Sequence, residues 1–200
     1  MRNNGLRIGV TMRVLEAQGY HEPRDALAQD WSSFMSMALP DAAWLPLPNL
    51  GANKARAYCE KWGINRLILT GGEDIGVSAI RDETEQDLLS WARERTVPVL
   101  GVCRGIQMMA VWAGVALKPV EGHVRTRHIL QGDFVHEVNS FHNYGLAECP
   151  PGFTVLARSE DGEIEAIRHE SLHWEGWMWH PEREKPFQST DITRLRRLFE

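Results

Sequence analysis

The chain has 200 residues, 43% of them hydrophobic, which suits one globular domain over residues 1–200 with a sizeable core and leaves no room for a second catalytic domain. A formal net charge of −5 and an isoelectric point near 5.9 exclude a protein that coats nucleic acid, while leaving room for a local basic pocket around one phosphorylated ligand. Met1 leads into polar residues with no apolar leader, no run approaches the ~20 residues that span a bilayer, and the three scattered cysteines make no disulfide framework, so the expectation is a cytoplasmic protein with small-molecule partners, no nucleic acid and no membrane.

Hydrophobic periodicity predicts a strand over Leu6–Met12, a helix over Ala26–Ala38 stopped by Pro40, and a strand over Ala43–Leu47. Asn53 is expected to cap a helix that runs to Trp62 and ends at Gly63. Arg66–Thr70 reads as a strand, and Asp82 with Glu85 as a capping-box-like helix start. The apolar run Val99–Val102 enters Cys103, after which helical spacing resumes at once. Beyond Gly114 shorter strands follow, roughly Phe134–Ser140, Thr154–Ala157, Glu163–Ile167 and Trp174–Trp179, before a final helix from Asp191. Such alternation predicts an α/β fold with a mostly parallel open sheet, whose ligands sit beyond the C-terminal ends of the strands.

Those ends carry the chemistry. Gly101 and Gly105 flank Cys103 at two residues on either side, the pattern of a strand-to-helix elbow that tolerates no extra Cβ and presents a side chain at a helix N-terminus. Unpaired N–H groups and the helix dipole there favour thiolate, which makes Cys103 the candidate nucleophile. His180 ends an aromatic-rich run, and Glu182 follows at a spacing that can return to the imidazole, giving a candidate Cys-His-Glu triad. The backbone amides of Gly72, in Thr70-Gly71-Gly72-Glu73-Asp74, and of Arg104 are the candidate oxyanion donors.

These stretches, together with Val138-Asn139-Ser140-Phe141-His142, resemble class I glutamine amidotransferases, and more narrowly their gamma-glutamyl hydrolase branch. Arg81-Asp82 before Glu85 and the run Ala157–Ala166 occur in that branch's order. The resemblance implies a flavodoxin-like sheet with helices on both faces and thiol-mediated cleavage of a gamma-glutamyl amide. It also implies that Cys103, His180 and Glu182 form the triad, that Gln107, Ser140, Phe141 and His142 lie on the substrate side, and that no cofactor is needed. Chain length and Arg24-Asp25 resemble the compact hydrolases of gamma-glutamyl-CDP-amidate in bacterial capsule synthesis; a homodimer is compatible with this. The chain departs from the branch at Ala110-Val111, Ala113-Gly114 and Asn143-Tyr144.

Plainer readings stand beside these. His142 serves equally well as a local hydrogen-bond partner, and Met108, Met109 and Trp112 fall at core spacing. The cationic run His123–His128 reads as a solvated loop before it reads as a phosphate site through Arg125 and Arg127. No His-Glu-x-x-His or paired Cys-x-x-Cys spacing appears, so no metal is expected. Three functions remain open: a stand-alone gamma-glutamyl hydrolase, acting on a nucleotide amidate, gamma-glutamyl-aminobutyrate or a peptide; a glutaminase subunit that feeds ammonia to a synthetase; and a non-catalytic binding module. The complete Cys-His-Glu set argues against the last.

Overall fold

The computed structural model describes residues 5–200. Its first half comprises β1 (Arg7–Thr11), the hairpin of β2 (Arg13–Glu16) and β3 (Pro23–Ala26), α1 (Asp30–Ala38), β4 (Ala43–Leu47), α2 (Lys54–Trp62), β5 (Arg66–Leu69), α3 (Ala79–Arg95), β6 (Val99–Val102) and α4 (Arg104–Trp112). The second half comprises β7 (Leu117–Pro119), β8 (Val124–Ile129), β9 (Gln131–Gly132), β10 (Glu137–Phe141), β11 (Tyr144–Leu146), β12 (Phe153–Arg158), β13 (Ile164–His169), β14 (Trp174–Trp177), a 3-10 turn at Pro181–Arg183 and α5 (Ser189–Phe199).

An eight-stranded sheet runs in the order β4-β1-β5-β6-β14-β13-β12-β9. From β4 to β14 every neighbour is parallel, and from β14 to β9 every neighbour is antiparallel. The expected α/β sheet is therefore present, and β14 is the strand at which its direction of pairing changes. Side chains alternate across it as a period of two requires. Leu67 and Leu69 of β5 join the layer under α2, α3 and α4, which holds Cys59, Leu88 and Met108; Ile68 joins the layer under α1 and α5, which holds Phe34, Leu195 and Phe199. Helices thus cover both faces.

Several local expectations are corrected. Helix α1 begins at Asp30, not at Ala26, because Pro23–Ala26 pairs with β2 and the Asp25 carboxylate takes hydrogen bonds from Asn49 N at 3.0 Å and Nδ2 at 2.6 Å. Asn53 makes no side-chain cap; at φ +64° its own N–H donates to Asp87 Oδ2 at 2.9 Å. Helix α3 starts at Ala79, so Asp82 and Glu85 lie inside it and serve buried ion pairs instead of a cap. Phe134 precedes β10 and packs edge-on against Trp177 and Trp179. The supposed loop after His123 is β8, paired antiparallel with β10. Among the described residues no helix is long and apolar enough to cross a membrane.

Candidate active site

Residue Cys103 sits between β6 and α4 at φ +52°, ψ −103°, a conformation that non-glycine residues seldom adopt and that persists only when the surroundings hold it. Here the Cys103 N–H donates to Trp177 O at 2.8 Å, which extends the β6–β14 ladder into the turn. A Cβ on Gly101 would come within 2.6 Å of the Gly105 carbonyl carbon, and one on Gly105 would collide with the Leu69 carbonyl oxygen. Both obstacles are backbone and cannot swing aside, so the two glycines allow α4 to start against the sheet. The thiol is 6% exposed.

Three residues beyond β14, His180 is buried beside it. Its Nδ1 lies 2.7 Å from Glu182 Oε1, so this nitrogen carries the proton and Nε2 is left for the thiol side. Burial disfavours the charged imidazole, but the Glu182 carboxylate and the neighbouring Cys103 thiol outweigh it and raise its pKa to about 9. Asn139 of β10 clamps the same residue by its backbone: Asn139 Oδ1 accepts from His180 N at 3.0 Å, and Nδ2 donates to His180 O at 2.8 Å. Glu184 Oε1 holds that amide at 2.6 Å, and Arg127 Nη2 donates to Glu184 Oε2 at 3.2 Å. Arg127 is thus engaged in supporting the site.

The Gly71-Gly72 loop faces the imidazole; a Cβ on Gly71 would stand 2.5 Å from His180 Cε1. Its shape is set by a buried guanidinium. Arg81 Nη2 donates to Thr70 O at 2.8 Å and Gly71 O at 3.2 Å, while Nη1 and Nε pair with Glu73 at 2.8 Å and Glu85 at 3.1 Å. Glu85 also accepts from Thr11 Oγ1 at 2.8 Å and pairs with the Arg104 guanidinium, which pairs in addition with Asp82. Burial opposes ionisation of Glu85, yet Arg81 and Arg104 hold its pKa below the ordinary carboxylate value. This network ties α3 and α4 to the loop that carries Gly72. The Arg104 backbone amide meanwhile begins α4, in the turn whose N–H groups have no intrahelical acceptor.

On the expected substrate side, Phe141 is half-exposed, edge-on to His180 at 5.9 Å between ring centroids, with the Arg183 guanidinium 4.8 Å over its face. Gln107 is buried and donates to Tyr144 O at 2.8 Å. The side chains of Ser140 and His142 turn away into protein contacts. Ser140 Oγ donates to His123 O at 2.7 Å, and His142 packs against His123 and Glu165.

Spacing-based reading missed three things. Asn139 stood in a quoted motif without a role, and the Arg81-Glu85-Arg104 cluster was invisible because Arg104 joins the α3 pair from a separate helix. Spacing also gave no sign that the fold gathers His123, His128 and Glu165, with ligand atoms within 4.8 Å of one another. A cavity of about 1020 Å³ is lined by Arg168, Trp174, Thr193 and Arg194 and includes no residue of the Cys103 site.

A thiol at a strained strand-to-helix turn, an imidazole oriented by a carboxylate, and free amides at a helix start are the equipment of acyl transfer through a thioester. The fold is that of α/β enzymes of the amidotransferase class. The chain belongs to the glutamine amidotransferase class-I family, whose family model matches residues 51–196. It is 32% identical, over 94% of its length and 95% of the relative's, to the gamma-glutamyl-CDP-amidate hydrolase of Campylobacter jejuni. It is also 36% identical to one of the subunits of the glutamine-hydrolyzing GMP synthase of Methanothrix thermoacetophila, over 58% of this chain and 66% of that one. A putative GMP synthase subunit from Thermoplasma acidophilum shares the fold with a TM-score of 0.72 at 17% identity, covering 98% of this chain and 92% of its own.

Proposed function

We propose that this protein is a stand-alone cytoplasmic thiol hydrolase, a single domain over residues 1–200, that cleaves the gamma-glutamyl amide of gamma-glutamyl-CDP-amidate. The observation that carries the substrate assignment is the nearly end-to-end match to a relative of that name, at closely similar chain length. In this reading Cys103 Sγ attacks the gamma-carbonyl carbon, and the Gly72 and Arg104 N–H groups receive the developing oxyanion. His180 then donates a proton to the departing nitrogen as the C–N bond breaks, leaving a gamma-glutamyl thioester on Cys103. Water, deprotonated by His180, attacks that thioester and releases glutamate and the free thiol; Glu182 keeps the ring in the required tautomer throughout. Phe141 flanks the glutamyl side of the pocket, Gln107 braces it through the Tyr144 carbonyl, Ser140 and His142 reach it by their backbone alone because their side chains are engaged elsewhere, and no cofactor takes part.

A second reading, a glutaminase subunit that serves a synthetase, is favoured by the likeness to GMP synthase subunits. The two part experimentally. Purified chain is offered gamma-glutamyl-CDP-amidate, gamma-glutamyl-aminobutyrate, gamma-glutamyl peptides and glutamine, with Cys103→Ala as control, and glutamate release is measured. The expected result is rapid, partner-free turnover of the nucleotide conjugate that Cys103→Ala abolishes. Turnover of glutamine alone, or only on adding a synthetase, would replace the first reading with the second.

A further inference from the structure

Beside the catalytic residues lies a second buried cluster, built from β8, β13 and the segment joining β10 to β11. Its hydrogen-bond partners assign the tautomers. His123 Nε2 lies 2.8 Å from the Asp161 carboxylate and therefore carries a proton; His142 Nδ1 lies 3.0 Å from Tyr144 O and carries one too. In neutral rings that leaves lone pairs on His123 Nδ1 and His142 Nε2, which face each other at 3.2 Å. Both also face Glu165 Oε1, at 3.4 and 3.5 Å. Glu165 is wholly buried, and neither of its oxygens has a hydrogen-bond partner; His128 Nε2, next to the cluster, is likewise buried and unpartnered. With both rings neutral, acceptors thus converge on one point with no donor among them, an arrangement completed by a metal ion or by a second proton on His123.

We propose that His123, His128 and Glu165 hold a divalent transition-metal ion of the zinc type, and that His142, which lies against His123 and Glu165, closes on it as the fourth donor. Imidazole and carboxylate are the donors such an ion takes, and bonds of 2.0–2.1 Å in a tetrahedron separate neighbouring donors by about 3.3 Å, the spacing found between His123, His142 and Glu165. Asp161 supplies the outer carboxylate that ligating histidines characteristically engage through their second nitrogen. With four protein donors the site is closed and structural. It staples β8 and β13 to the His142–Tyr144 segment, whose carbonyl receives Gln107.

The test uses tag-free full-length protein. Metal content is measured after purification, and the chelated protein is titrated with Zn2+ and with Co2+, whose visible absorption reports tetrahedral coordination. The expected result is one ion per chain, a rise in melting temperature on adding Zn2+, and loss of both in Glu165→Gln and His128→Asn. Asp161→Asn should bind about 10–100-fold more weakly, and His21→Ala, an exposed histidine elsewhere, should bind as wild type. Folding of each variant is checked by circular dichroism. Absence of metal from the wild type, with no spectral or thermal response to either ion, would overturn the proposal and leave a proton shared between His123 and Glu165 as the completing cation. Binding that persists in both ligand variants would overturn it equally.

Discussion

Replacing Asn139 by alanine removes a side chain that contacts neither the thiol nor the expected substrate position, yet holds both backbone groups of His180. Three partners are lost: the His180 N–H, the His180 carbonyl and the Glu184 carboxylate. A net hydrogen bond contributes about 1 kcal/mol, and one to a charged group about 1.5–3, so the variant should lose about 4 kcal/mol of folding stability. Against a total of about 5–15 kcal/mol it remains folded at moderate temperature. Its His180, no longer tethered to β10, should drift relative to Cys103, and misplacement by about 1 Å lowers turnover by about 100-fold. The assay pairs urea unfolding with steady-state glutamate release. The expected pattern is a fallen kcat with KM little changed. Asn139→Asp should be worse at neutral pH, because it sets a second carboxylate against Glu184 while losing the donor to the carbonyl. Wild-type kcat in folded Asn139→Ala would refute the argument that this amide positions the base.

Gly71→Ala should cut kcat by at least about 10-fold, because a Cβ 2.5 Å from His180 Cε1 forces the imidazole to turn; kinetics on the folded variant, with KM as internal reference, checks this. Glu85→Gln leaves Arg81 and Arg104 buried without their shared counter-ion and should destabilise by about 3–5 kcal/mol in urea titration. The same carboxylate gives an acid limb to stability. Its folded pKa lies below its ordinary 4.5, so its contribution is full above that value and is lost as pH falls through the depressed one, and the limb should shrink in the variant.

What was legible in the sequence was what local chemistry writes. The elbow glycines and Cys103 declared a backbone turn that only that pattern permits, and His180 with Glu182 lies two residues apart, close enough for spacing to reveal the pair. Strands β1, β4, β5 and β6 showed their apolar runs. What spacing could not show depends on partners far along the chain. Ala26 leaves the expected helix because it pairs with Arg13 of β2, and Glu85 leaves the expected cap because Arg104 of another helix claims it. Arg127 looked like a solvated cation until β8 paired with β10 and brought it to Glu184. His123 and Glu165 lie far apart in sequence, with five strands between them, and meet only after β13 docks.

The change of pairing direction at β14 fixes a length. Strand β6 delivers Cys103 and strand β14 leads to His180, and these two strands are hydrogen-bonded neighbours in register from Val99 opposite Trp174 to Val102 opposite Trp177. The strand ends from which the candidate nucleophile and base project are therefore held one rung of a sheet apart, about 4.8 Å, a dimension set by peptide geometry instead of by loop conformation. Breathing of the surrounding loops leaves that rung unchanged. The roots of the candidate pair are in effect machined into the sheet, and only the last three residues to His180 depend on the Asn139 clamp from β10.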